Sequence, residues 1–307
     1  MKSQHHRISL STGVELDVWT SGDPANPPIL FLHGFPESHR TWRHQMAALS
    51  DGYFCIAPDQ RGYARSSKPA AVSDYAVPLL IADVFALADA LGVGKFTLVG
   101  HDWGGAIAWA VALKDQARVT RLIQCNAAHP YVFQRTLIHD LPQRAHSQYI
   151  REFRERDIEG EVAAKGVEWF FADRFENRLT ARGITPQDRD AYIDEWSQPG
   201  ALTGMLNWYR ASPMQVPAMD APCVNSPFLD RPFPKLTIPT LVVWGMKDQA
   251  LLPCQLEGLE DHIDDLTVIR IPEAGHFVPW EEPEAVTAAM RGWLEPLVRR
   301  PGEGRGR

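Results

Sequence analysis

Cysteine is scarce. The 307 residues contain four, Cys55, Cys125, Cys223 and Cys254, scattered without C-x-x-C or metal-ligand spacing. That argues against a cysteine-held metal or redox motif, and for thiols kept reduced in a cytoplasm. Long hydrophobic runs are missing too. No segment approaches the ~20 apolar residues that a membrane span needs, and the basic start, Met1 to Arg7, has no apolar run behind it to make a secretory signal. An excess of positive charge is also absent: the net charge of −7 argues against a nucleic-acid binder, which needs a basic face to neutralise phosphates. No internal repeat is visible. What is there is 45% hydrophobic and 22% charged, the composition of a soluble globular protein with a substantial core. The length allows one large α/β domain or two smaller ones.

Arg7–Leu10 and Val14–Thr20 alternate apolar and polar residues around Ser11-Thr12-Gly13, which reads as an antiparallel hairpin at a sheet edge. Pro28–Leu32 is a continuous apolar run of the kind buried on both faces of a parallel sheet, and Tyr53–Ala57 is another strand. Thr41–Leu49 and Val77–Leu91 carry helical spacing, the latter stopped by Gly92 and Gly94. Strands follow at Phe96–Val99, Val119–Cys125, Thr240–Gly245 and Leu266–Ile271, with a helix over Pro283–Val298. Strands alternating with helices predict a mostly parallel, doubly wound α/β sheet. The alternation stops between Pro130 and Pro234, where aromatic and charged residues read as several helices ending in a Pro-rich linker from Pro213. The expected organisation is a core of residues 1–129 and 235–300, a helical lid of 130–234 over the carboxyl ends of the strands, and a disordered tail, 301–307.

The chain is organised around Phe96-Thr97-Leu98-Val99-Gly100-His101-Asp102-Trp103-Gly104-Gly105 and the Ala-rich helix behind it. Gly-x-Asp-x-Gly between a strand and a helix has the form of a nucleophile elbow with aspartate in the usual place of serine. The central residue of such an elbow sits on a strained turn, so the positions two before and two after it must be small. Its side chain is left at a helix N-terminus, where backbone N–H groups favour negative charge. A nucleophile needs a base, and the base an orienting group. His276, in Ala274-Gly275-His276-Phe277, and Asp248, in Gly245-Met246-Lys247-Asp248, each follow a predicted strand. Asp102, Asp248, His276 is the chain order nucleophile, acid, histidine. Two oxyanion donors are expected at the backbone N–H groups of Trp103 and Phe35, the latter in His33-Gly34-Phe35-Pro36, where a cis X-Pro bond would help turn the Phe35 N–H inward.

These residues resemble the α/β-hydrolase fold over nearly the whole chain, with an eight-stranded, mostly parallel sheet, and within it the epoxide hydrolases. The resemblance rests on His33-Gly34-Phe35-Pro36, Gly100-His101-Asp102-Trp103-Gly104-Gly105, the Asp248 and His276 loops, and Asn207-Trp208-Tyr209-Arg210. The last tetrad matches the lid segment carrying one of the family's two epoxide-binding tyrosines, which maps to Tyr209. The second maps to Tyr149, followed by Phe153 and Glu155, with Tyr131 and Tyr192 as rivals. Ala64 stands where the family often has glycine, a departure that bears on a local turn rather than on the chemistry.

A carboxylate attacking an ester or amide would give a labile anhydride, whereas attack on a saturated carbon gives an alkyl ester that water cleaves. The resemblance therefore implies an epoxide opened by Asp102 while Tyr149 and Tyr209 bind its oxygen and supply the proton. His276, oriented by Asp248, then activates water against the ester, and Phe35 and Trp103 hold the oxyanion. Phe35, Trp103, Tyr149 and Tyr209 would line the substrate, a lipophilic or aryl epoxide. No cofactor or metal is expected, and no nucleic-acid or membrane partner; the chain would act as a monomer or homodimer. The runner-up is a haloalkane dehalogenase with Trp103 as halide ligand. Against it, that family's second halide donor commonly stands at the position of Phe35, which has none. Fluoroacetate dehalogenases use arginine after the nucleophile, where this chain has Trp103, and dehalogenases that place the acid after the earlier strand would need a carboxylate in Gln124-Cys125-Asn126. A non-catalytic scaffold is the remaining reading, and such chains typically lose an element of the site.

Overall fold

In the computed structural model, residues 3–295 are described. The expected tail, 301–307, and the end of the last helix lie outside them. Eight strands form one sheet: β1 (Gln4–Ser9), β2 (Glu15–Ser21), β3 (Pro28–Leu32), β4 (Phe54–Pro58), β5 (Phe96–His101), β6 (Val119–Cys125), β7 (Thr240–Gly245) and β8 (Leu266–Ile271). Their spatial order is β1-β2-β4-β3-β5-β6-β7-β8. The hairpin β1–β2 lies at one edge and β2 runs antiparallel to β4; every other neighbouring pair is parallel.

The side-chain period of two divides the core between the two faces of the sheet. Leu30, Leu32, Leu98, Leu122 and Val242 point to one cluster, and Ile29, Phe31, Val99, Ile123 and Val243 to the other. Helices Val77–Ala90 and Asp102–Lys114 cover the first face, while Arg43–Leu49 and Pro283–Leu294 cover the second. With both faces covered, β3, β5 and β7 are buried almost end to end, which is why their sequences lack alternation.

Between β6 and β7 the chain makes seven α-helices, Pro130–His139, Leu141–His146, Gln148–Glu155, Ile158–Lys165, Val167–Arg174, Pro186–Trp196 and Ala201–Ala211, followed by a stretch without helix that runs to β7. This insertion is fixed to the rest by buried tryptophans: the indole of Trp196 donates to Pro36 O at 2.8 Å and that of Trp208 to Arg61 O at 2.9 Å. Among the described residues, no helix is long and apolar enough to cross a membrane. The parallel strands put the ends of β3, β5, β6, β7 and β8 on one edge, and Phe35, Asp102, Asn126, Asp248 and His276 follow those five ends.

Candidate active site

Asp102 follows β5 with φ of 47°, a left-handed conformation that costs a non-glycine residue roughly 1–2 kcal/mol. The surroundings enforce the turn. A Cβ on Gly100 would lie 2.4 Å from Gly105 Cα, and one on Gly104 would lie 2.3 Å from Leu32 O and His33 O. The same holds for Gly34 after β3, where a Cβ would meet Asp102 Cβ at 2.4 Å. That close approach lets the Phe35 N–H donate to Asp102 Oδ1 at 2.7 Å, and the Phe35–Pro36 bond is cis. Trp103 occupies the first turn of the Asp102–Lys114 helix, where backbone N–H groups have no intrahelical acceptor.

The carboxylate's other oxygen, Oδ2, faces His276 Nε2 at 3.5 Å, and His276 Nδ1 meets Asp248 Oδ2 at 2.8 Å. Both Asp102 and His276 side chains are 11% exposed, whereas Asp248 is fully buried. Burial alone would raise the Asp102 carboxyl. The hydrogen bond and charge of His276, the charge of His101 and the Phe35 N–H outweigh it and hold the carboxyl below its usual range. For His276, burial opposes the charge, but Asp248 and Asp102 on either side raise it well above the usual imidazole value. The resting pair is therefore carboxylate and imidazolium.

Asp248 is fixed by donors that the sequence reading did not single out. Ala250 N and Leu251 N donate to Oδ1 at 2.7 and 2.8 Å, and Asn126 Nδ2 donates to Oδ2 at 2.7 Å. Asn126, after β6 at φ 38°, also accepts from Gly245 N at 2.7 Å. The absent carboxylate at this position is thus an amide serving the carboxylate at 248. A second overlooked group lies behind Asp102. His101 and Glu37, both fully buried, meet at 2.5 Å, and His101 Nε2 lies 2.9 Å from the carbonyl of His276. Both neighbours of this ring are acceptors, and Glu37 already accepts from Gly34 N at 3.1 Å and Thr41 Oγ1 at 2.6 Å. The His101 ring thus joins the 34–37 loop to the backbone of His276. Neither residue carries a spacing signal in the sequence.

Two cavities meet at Asp102. One of about 100 Å³ is lined by Phe35, His146, Phe153, Arg174, Arg178, Thr180, Lys247, Gln249, Ala250, His276 and Phe277. The other, about 80 Å³, is lined by Trp103, Ala106, Ala128, Pro130, Phe133, Ile150, Arg154, Ser212, Met214 and Leu251. Tyr149 and Tyr209 line both, together with Asp102. They stand on the helices Gln148–Glu155 and Ala201–Ala211, their rings 6.1 Å apart, and Tyr209 packs edge-on against Phe35 and Trp103, each at 5.1 Å. Burial, then the charge of Asp102 and neighbouring groups, raises both phenols far above the usual value, so both stay protonated donors. The rivals lie elsewhere: Tyr131 donates to Leu229 O at 3.4 Å, and Tyr192 is buried against Phe171, Phe175 and Trp280. Among the described residues, no group of three or more His, Cys, Asp or Glu side chains is arranged to hold a metal ion.

The family model of the alpha/beta hydrolase fold matches residues 27–283. A solved structure from a study of novel epoxide hydrolases of the alpha/beta hydrolases superfamily, from metagenomes of hot environments, is 50% identical. It superposes with a TM-score of 0.89 over 96% of this chain and 99% of its own. Epoxide hydrolase 3 of Mus musculus is 31% identical over 94% of this chain and 76% of its own. The AB hydrolase superfamily protein YfhM of Bacillus subtilis is 33% identical over 93% and 96%. With its aspartate at the elbow and this breadth of similarity, the chain belongs to the epoxide hydrolase family of the alpha/beta hydrolase fold.

Proposed function

We propose that the protein hydrolyses epoxides to vicinal diols through an alkyl ester on Asp102. The observation that carries this reading is the nucleophile elbow bearing a carboxylate, with two protonated tyrosines on the same cavity walls and an Asp248-paired histidine at 3.5 Å. Phe35 N–H holds Asp102 Oδ1, so Oδ2 is the attacking oxygen. It bonds to an epoxide carbon as the ring C–O bond breaks, and the departing oxygen takes hydrogen bonds and a proton from the Tyr149 and Tyr209 hydroxyls. Alkylation removes the charge of Asp102, one of the two carboxylates that keep His276 protonated, so the imidazolium yields its proton to the phenolate left by ring opening and becomes the neutral imidazole the next step requires. His276 then takes a proton from water, and the hydroxide attacks the ester carbon. The oxyanion on Oδ1 is met by the N–H groups of Phe35 and Trp103. Collapse breaks the bond between the ester carbon and Oδ2; the departing diol oxygen takes the proton of the added hydroxyl, which leaves Asp102 a carboxylate beside the imidazolium of His276. Asp248, buried with its three donors, holds His276 in the Nδ1–H form and stabilises its charge.

The second cavity, walled by Trp103, Phe133, Ile150, Met214 and Leu251, supports a lipophilic or aryl substituent on the epoxide. The reading includes a cytoplasmic location, supported by four cysteines that form no disulfide, and action as a monomer or homodimer. Side-by-side turnover of styrene oxide and 1-bromobutane tests the reaction. Diol formation without bromide release is expected. Bromide release with little diol would move the protein to the haloalkane dehalogenases, with the Trp103 indole as halide ligand; binding without either product would favour a non-catalytic role.

A further inference from the structure

Glu281 ends a short helix, Val278–Glu281, five residues past His276, and is 1% exposed. Among the described residues it makes no ion pair. A buried carboxylate without a counter-charge is costly unless hydrogen bonds replace the water it loses. Five donors do so here. Oε2 accepts from Gly275 N at 3.0 Å, from Thr180 N and Ala181 N at 2.9 Å each, and from the Thr180 hydroxyl. Oε1 accepts from Phe277 N at 3.1 Å.

The donors come from two pieces of chain far apart in sequence. Gly275 and Phe277 flank the histidine. Thr180 and Ala181 belong to the insertion, and Thr180 lines the cavity that Asp102 and His276 share. The two pieces are in close contact: a Cβ on Gly275 would lie 2.8 Å from Thr180 Oγ1, and the Phe175 ring sits 4.6 Å from that of Phe277. Asp248 aims the imidazole, but the backbone carrying it is held on one side by His101 and on the other by Glu281.

We propose that Glu281 is a positioning residue for the hydrolytic half-reaction. It aligns His276 by binding the histidine loop and the 175–181 segment at once, so that the segment's seating over the cavity and the placing of the water-activating base are one event. This rests on the reading of His276 as the base that hydrolyses the Asp102 ester. All five partners are donors, so a carboxylate fits and an amide does not. In Glu281→Gln the amide NH2 must face either Phe277 N–H or the cluster on Oε2, and one side lets go.

The test is steady-state and single-turnover kinetics of wild type, Glu281→Gln and Thr180→Val with styrene oxide. In a two-step reaction, slowing hydrolysis alone lowers kcat and KM together and leaves kcat/KM unchanged, because alkylation is untouched. Glu281→Gln is expected to lower kcat and KM on the order of tenfold or more, with kcat/KM retained and alkyl-enzyme accumulating in intact-mass spectra. Thr180→Val removes one donor and should shift both parameters the same way by a smaller factor. Should Glu281→Gln fail to fold, Thr180→Val decides. Unchanged kinetics, or a fall in kcat/KM without adduct, would overturn the proposal. Absence of diol from wild type would instead remove the epoxide reading, and this proposal with it.

Discussion

Replacing Tyr209 by phenylalanine removes one oxygen and keeps the ring, whose contacts with Phe35, Trp103 and Phe153 at 4.9–5.1 Å hold the site wall together. The fold should therefore be indifferent to the change. The chemistry should not be, because the epoxide oxygen becomes an alkoxide as the ring opens and loses one of two donors. A hydrogen bond to a charged group contributes about 1.5–3 kcal/mol. At about 1.4 kcal/mol per factor of ten, that slows alkylation roughly 10- to 150-fold. Tyr149→Phe should fall in the same range. The two hydroxyls serve one oxygen, so their effects need not multiply; the double variant is expected to lose on the order of a thousandfold or more, since no donor remains. Single-turnover stopped flow with styrene oxide reads the step through tryptophan fluorescence, Trp103 being next to Asp102. Thermal melts would verify that Tyr209→Phe folds as wild type does. Alkylation rates within about twofold of wild type in both single variants would refute the assignment of the tyrosines as acids.

Three further outcomes are expected. The raised His276 value stabilises the fold fully below pH 6.5, and that contribution is lost as pH rises through the folded value. The lowered Asp102 value contributes above 3.8 and is lost as pH falls. The Tm difference between wild type and His276→Gln should thus be greatest between pH 3.8 and 6.5 and shrink on the alkaline side; a difference that grows above pH 6.5 would contradict the charge assignment. Ala64, at φ 44°, sits in a glycine conformation, so Ala64→Gly should raise stability by about 0.5–1 kcal/mol, or roughly 1–3 °C in a thermal melt. Asn126→Ala strips a donor from Asp248 and leaves Gly245 N–H unmet, which should cost about 2–4 kcal/mol in urea unfolding and slow ester hydrolysis.

The eight strands were legible because residues buried on both faces, such as Ile29 to Leu32 and Leu241 to Val243, need unbroken apolar runs, while the edge hairpin needs alternation. Boundaries moved where local chemistry intervened. The helix read from Thr41 is a 3₁₀ turn, His39–Trp42, leading into Arg43–Leu49, and the prolines at 279 and 283 divide the last helical stretch into Val278–Glu281 and a helix starting at Pro283. The elbow was legible because its glycines are demanded by backbone contact. The supports were not. Glu37 meets the His101 ring, Asn126 the Asp248 carboxylate and Gly245 N–H, and Glu281 donors from two segments; partners brought together only by topology leave no motif at a residue's own position.

The central claim is a covalent ester on Asp102, and intact-mass spectrometry of His276→Gln mixed with styrene oxide tests it most directly. With alkylation intact and the base removed, the account predicts that the protein gains the mass of one substrate molecule, that the gain maps to the peptide carrying Asp102, and that Asp102→Ala abolishes it. A variant that still forms diol with no adduct at any time, or an adduct on another residue, would contradict the two-step mechanism.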